Sequence, residues 1–247
     1  MPNEIELPAH QSSSWNEAYC RFRDEYRYLN TFFYLFLTGK EKLQEHLKDQ
    51  INKHDEGKVT QGEPLDYMMG VVTHVYSRSK FKGVNVARSD AVKMASDFSG
   101  FLSIVSKHCI ISAHRSVVDY SFDLLHELYN QGHIEFEDKV KEAVFSRRMR
   151  PAKLNSLLED CKIPISTENH ILDQWRWLAE LRNCIEHNGS LATKEFISFA
   201  DEIELKLGEP IPTGPKEVGE ALALIEEICQ SMNQKTHTQY YFSPKNV

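Results

Sequence analysis

The chain is predicted to be all-α, a bundle of antiparallel helices, and three observations lead there. Apolar residues recur at steps of three and four along most of its 247 residues, the period of a helix with a buried face. No alternating run of strand length, bounded by turns, interrupts them. The breaks in periodicity fall on glycine, proline and small polar residues, where helices start and stop. Composition agrees, since 41% hydrophobic and 26% charged residues suit a soluble globular chain and exclude wholesale disorder.

Residues 1–13 read as a flexible leader, and Ser12-Ser13-Ser14 offers a helix N-cap. A first helix is expected from about Trp15 to Leu37, ending at Gly39. A second, from Lys40 to about His54, carries Leu43, Leu47 and Ile51 at spacing four. Asp55 to Glu63 is polar and reads as a loop, after which Pro64 opens a helix through Tyr67, Met68, Val71, Val72 and Val75. Beyond a loop near Lys80 to Asn85 comes the longest periodic segment. Ala91, Met94, Phe98, Phe101 and Val105 are followed by Val117, Tyr120, Leu124 and Leu128, as one long helix or two nearly continuous ones ending near Gly132. Shorter helices are expected around Glu137 to Ser146 and Ala152 to Asp160, then one from about Glu168 to His187. Thr193 to Leu207 follows, then a Gly/Pro-rich linker from Gly208 to Pro215 and a last helix from about Glu217 to Asn233. The expectation is one domain over 1–247, its core at about 64–235, with additional helices at the N-terminal end.

Charge and cysteine content narrow the function classes. A formal net charge of -7 gives no generic attraction to nucleic acid, so any RNA contact needs a local basic surface. Cys20, Cys109, Cys161, Cys184 and Cys229 are odd in number, widely spaced and without a CxxC, which reads as reduced intracellular thiols. The acidic, polar N-terminus resembles no secretory signal, and the greasy run Phe32 to Leu37 is too short to span a bilayer. A cytoplasmic protein with no membrane partner is expected. No P-loop, dinucleotide fingerprint, nucleophile elbow or HExxH is present.

Chemistry concentrates in Arg182-Asn183-Cys184-Ile185-Glu186-His187. Ile171, Leu172, Trp175, Trp177, Leu178, Leu181, Cys184 and Ile185 wrap most of the helix preceding the Asn188-Gly189 stop, predicting a central, largely buried helix. At its C-terminal end Arg182, Asn183, Glu186 and His187 form a polar cluster. Asn183 and His187 share one side as an i,i+4 pair, as do Arg182 and Glu186. The set supplies a permanent cation, an amide and a group titrating near neutrality, the parts needed to cleave RNA without a metal. An Arg–His pair five to seven residues apart is expected about once by chance in such a chain. Asn183 and the helix setting therefore carry the signal.

Leu181-Arg182-Asn183-Cys184-Ile185-Glu186-His187-Asn188-Gly189 resembles the R-N-x-x-x-H signature of the HEPN superfamily. Its members are all-α helical bundles, many of them metal-independent endoribonucleases in toxin–antitoxin, phage-defence and CRISPR systems. The resemblance implies an HEPN-like bundle in which Arg182 stabilises charge on the scissile phosphate and His187 acts as general acid or base. Asn183 would orient His187 or a phosphate oxygen, with Glu186 in support. It also implies 2′-hydroxyl attack leaving a 2′,3′-cyclic phosphate, and no metal or cofactor. The implied assembly is a homodimer with a composite active site, the substrate RNA, and the restraint an antitoxin or regulatory partner. The alternative is a non-catalytic helical module that binds RNA, a nucleotide or a protein.

Outside the motif, Arg147, Arg148, Arg150 and Lys153 form the densest basic run and are the candidate substrate-binding residues, with a solvated basic loop as the competing reading. Arg78, Lys80, Lys82, Arg88 and Lys93, interleaved with Tyr76 and Phe81, make a second positive stretch. His108, Cys109, His114 and His126 share the long helical segment at spacings that match no metal site, so they read as core or surface residues.

Overall fold

The computed structural model describes residues 16–55, 99–199 and 205–241. The expected helix after Pro64 and the basic stretch from Arg78 to Lys93 lie outside the described residues, as do Ser12-Ser13-Ser14. The fold is all-α. Its helices are α1 (Glu17–Asp55), α2 (Ser99–Asn130), α3 (Asp138–Phe145), α4 (Pro151–Asp160), α5 (Asn169–His187), α6 (Lys194–Ile197) and α7 (Pro215–Thr236), with a π-helical turn at His237–Tyr241. Among the described residues no strand forms, and the only pairing is an isolated antiparallel bridge between Leu191 and Pro210. No helix of the described residues is long and apolar enough to cross a membrane.

The chain divides into two compact units, residues 31–106 and residues 1–30 with 107–247. The first unit contains the later part of α1, where a single helix replaces the two expected. Gly39 does not end it, because the residue lies inside continuous helix with nothing within 4 Å of where a Cβ would sit. A glycine inside a helix costs about 1 kcal/mol relative to alanine, too little to break a helix of 39 residues.

The second unit is organised by α2. From Cys109 to Leu128 its buried positions include Ile110, Ala113, Val117, Tyr120, Leu124 and Leu125, and they cover most of the helix circumference. Ser116 and Ser121 are tolerated on that face because their hydroxyls donate back to the carbonyls of Ser112 (2.9 Å) and Val117 (2.8 Å), which satisfies them locally. Against α2, the start of α1 places Tyr19 and Phe22, whose rings lie 6.1 and 5.6 Å from that of Tyr120. The first turn of α1 is capped from two directions. Asn16 accepts from the Tyr19 amide at 2.7 Å, and the Glu127 carboxylate accepts from the Ala18 amide at 2.8 Å. A carboxylate there satisfies orphan amides and complements the helix dipole.

Three helices end in the same device, in which a residue with left-handed backbone lets two amides reach back into the last turn. At α2 the position holds Gly132, with φ 73. At α3 it is Arg147 (φ 53), whose amide donates to Val144 while that of Arg148 donates to Ala143. At α4 it is Lys162 (φ 60), with the Lys162 and Ile163 amides on Glu159 and Leu158. The expected ends of these three helices, and the expected starts of α3 and α4, agree with the observed ones to a residue or two, while the expected start of α2 near Ala91 lies outside the described residues. The segment after α5 differs, since α6 stops at Ile197 instead of continuing toward Leu207. Thr193 caps α6 by accepting from the Phe196 amide at 3.1 Å. The last helix begins at Pro215 and continues to Thr236, and Glu217 accepts from the Gly214 amide at 2.7 Å.

Candidate functional site at the end of α5

The helix that carries the motif is amphipathic, with one buried stripe. Ile171, Trp175, Leu178, Leu181 and Cys184 are buried, while Leu172, Trp177 and Ile185 are only half-buried and Asp173, Gln174 and Arg176 face solvent. The buried stripe belongs with α6 and α7, against which α5 packs. The widest buried face lies on α2 instead, so α5 is not the central helix its apolar count suggested. This exposure leaves the motif side chains at the surface.

At that surface five side chains form a chain of contacts. Glu186 makes an ion pair with Arg182 one turn earlier. Arg182 also donates through Nη1 to Oδ1 of Asn183 at 3.0 Å, and Asn183 donates in turn to Oε1 of Glu180 at 3.3 Å. His187 extends outward, its side chain 68% exposed against 31% for that of Arg182. Its Nε2 lies 3.8 Å from the same Glu186 oxygen that holds Arg182. Glu186 thus stands between the cation and the imidazole. The amide of Asn183 engages Arg182 and Glu180, and among the described residues it makes no hydrogen bond to His187.

The turn after the motif is tight. Gly189 and Ser190 both have positive φ, 61 and 66, and the Ser190 amide returns to the Cys184 carbonyl at 2.8 Å. Asn188 donates to the Leu191 carbonyl at 2.9 Å. The predicted Asn-Gly stop is therefore a built loop that ends the helix directly after His187.

Tertiary packing adds one residue that the motif does not contain. His114 of α2 is buried, and its ring lies flat on Trp175, with centroids 4.7 Å apart and planes within 2°. Burial, and secondarily the charge of Arg182, lowers its pKa to about 4. A buried imidazole resists charging, and a nearby guanidinium adds to that resistance. His114 is thus a neutral histidine in the electrostatic field of Arg182. Sequence spacing could not reveal this, because the two residues lie on different helices and come within electrostatic range only when His114 stacks on Trp175 of α5. Of the other histidines on α2, His126 packs edge-on against Phe145 at 4.2 Å.

The basic run divides into two parts. Arg147 turns toward α2, with Nη1 2.8 Å from Asp119 and Nη2 2.5 Å from Asp123. Arg148, Arg150 and Lys153 instead line a cleft of about 530 Å³ between α3 and α4, together with Lys139, Val140, Ala143 and Met149. None of Arg182, Asn183, Glu186 or His187 is in that lining. Helix geometry accounts for the separation along α2. The α3 contact at His126 is twelve residues from His114, about 18 Å along the axis and about 120° around it.

All five cysteines are free thiols. Among the described residues no group of three or more His, Cys, Asp or Glu side chains comes together in a way that could hold a metal ion. No protein-family model, curated protein or solved structure matches the chain.

Proposed function

We propose that this protein is a metal-independent endoribonuclease of HEPN type, acting in the cytoplasm as a toxin or phage-defence effector. The observation that carries the reading is the end of α5, where a cation, a carboxylate and an exposed imidazole lie within two turns. On binding RNA, a phosphate oxygen replaces Glu186 on the Arg182 fork, a planar donor suited to phosphate. The ribose 2′-hydroxyl attacks the phosphorus in line and gives its proton to a base. The bond to the 5′-oxygen breaks, that oxygen takes a proton from an acid, and a 2′,3′-cyclic phosphate remains. His187 fills one of these two proton-transfer roles. A second copy of the chain supplies its own His187 for the other, so the active form is a homodimer with a shared cleft. Asn183 orients the guanidinium, which is the contact it makes. An antitoxin or regulatory partner restrains the activity.

Purified protein is expected to cleave RNA in EDTA, leaving 2′,3′-cyclic ends. His187→Ala is expected to abolish cleavage while the helical circular dichroism is unchanged. RNA that stays intact at high protein concentration, with no inhibitor bound, would overturn the reading.

One observation favours a non-catalytic module. Glu186 already occupies Arg182, and Asn183 does not reach His187. A module that binds RNA, a nucleotide or a protein through this surface shows Arg182→Ala weakening binding, with no cleavage under any condition.

A further inference from the structure

We propose that the cleft between α3 and α4 is a second binding site, for a ligand of nucleotide chemistry with two or more adjacent phosphates. Its rim holds Lys139, Arg148, Arg150 and Lys153, and its lining contains no carboxylate. In a chain with 36 acidic residues against 29 basic ones, four cations around one cleft run against the overall balance. None of the four makes an ion pair with the described residues, whereas the adjacent Arg147 is held by both Asp119 and Asp123. Carboxylates are therefore close at hand, and the fold directs them to the one arginine that faces away from the cleft.

The separation follows from the end of α3. The left-handed backbone at Arg147 reverses the chain, so Arg147 turns to α2 while Arg148 and Arg150 turn to the cleft. Val140, Ala143 and Met149 are half-buried and form an apolar floor. Methionine adapts to flat, polarisable groups, and the volume lies within the ~300–1,000 Å³ typical of small-molecule sites. Phosphates fit between the four cations, and a sugar or base rests on the floor. Two sources share this chemistry, a stretch of RNA and a free nucleoside polyphosphate. The site stands on its own residues and does not depend on cleavage at Arg182 to His187.

The test is a binding titration of the full chain with three probes: an octauridylate carrying 2′-O-methyl riboses, which cannot be cleaved, then ATP, then inorganic tripolyphosphate. The octamer or ATP is expected to bind saturably. Arg150→Gln combined with Lys153→Gln is expected to weaken that binding at least tenfold, while Lys162→Gln with Lys194→Gln, the same charge change outside the cleft, leaves it within twofold. For the octamer, the slope of log affinity against log salt becomes shallower by about 1.4, or about 0.7 per lost phosphate contact on a single strand. The tighter of the two nucleotide probes identifies the source. No saturable binding of either, equal weakening by the control pair, or tripolyphosphate binding as tightly as ATP each overturns the proposal. Binding is read with probes that are not cleaved, and cleavage of unmodified RNA is scored in a separate assay of the wild-type protein, so failure of the nuclease reading and failure of this one are told apart.

Discussion

Replacing His114 by phenylalanine isolates a pH dependence built into the packing of α2 on α5. In the folded protein His114 stays neutral down to pH about 4, while in the unfolded chain it takes up a proton near its ordinary value of 6.5. Between these values the unfolded state binds more protons, so stability is intact above pH 6.5 and is lost as the pH falls toward 4. At about 1.4 kcal/mol per pKa unit, His114 alone removes about 2 kcal/mol between pH 7 and pH 5, and about 3 kcal/mol by pH 4. Phenylalanine keeps a flat ring against Trp175 and deletes the titrating nitrogens. The assay is urea unfolding followed by tryptophan fluorescence, at pH 7 and pH 5, for wild type and His114→Phe. The wild type is expected to lose about 2 kcal/mol more than the variant across that interval. Equal losses in the two proteins would show that His114 charges in the folded state and that the burial argument is wrong. In Arg182→Gln only the lesser cause is removed, so the His114 window narrows from its acid side without closing.

Gly39→Ala is expected to stabilise α1 by up to ~1 kcal/mol, since nothing stands where the new methyl would lie; an unchanged or lower urea midpoint would argue against continuous helix there. Lys162→Gly removes the cost of a left-handed lysine at the end of α4, a gain of about 1 kcal/mol that thermal unfolding reads as a Tm rise of ~2–4 °C. Glu186→Gln releases Arg182 from a partly exposed i,i+4 pair worth ~0.5–1 kcal/mol. Under the nuclease reading KM for RNA falls about twofold to fivefold with kcat nearly constant, and a large loss of kcat would instead make Glu186 part of the proton transfers.

The helical class and most helix ends were legible in the sequence because they are local. A period of three and four selects the helix, and reversals such as Gly132 need only a few residues to form. Pro151 and Pro215 stand in first turns, a local signal that the expected starts at Ala152 and Glu217 left outside the helices. Gly39 shows the limit of local reading. A stop signal competes with the helix on both sides of it, and a cost of about 1 kcal/mol does not outweigh a continuous turn pattern. The cap of α1 by Glu127 lies equally outside sequence reasoning, because more than a hundred residues separate donor and acceptor.

For the candidate site, the sequence by itself determined which groups share the end of α5, since Arg182, Asn183, Glu186 and His187 lie within two helical turns. Only the tertiary structure decided their states. The apolar count of α5 suggested a buried helix, but burial depends on neighbours, and α2 takes the wider buried face while α5 keeps its motif at the surface. That packing brings neutral His114 into the field of Arg182. It also divides one basic run between an ion-paired arginine facing α2 and three cations lining a cleft with Lys139. Residue order lists charges, whereas dielectric, distance and pairing set what each charge does, and those belong to the folded chain.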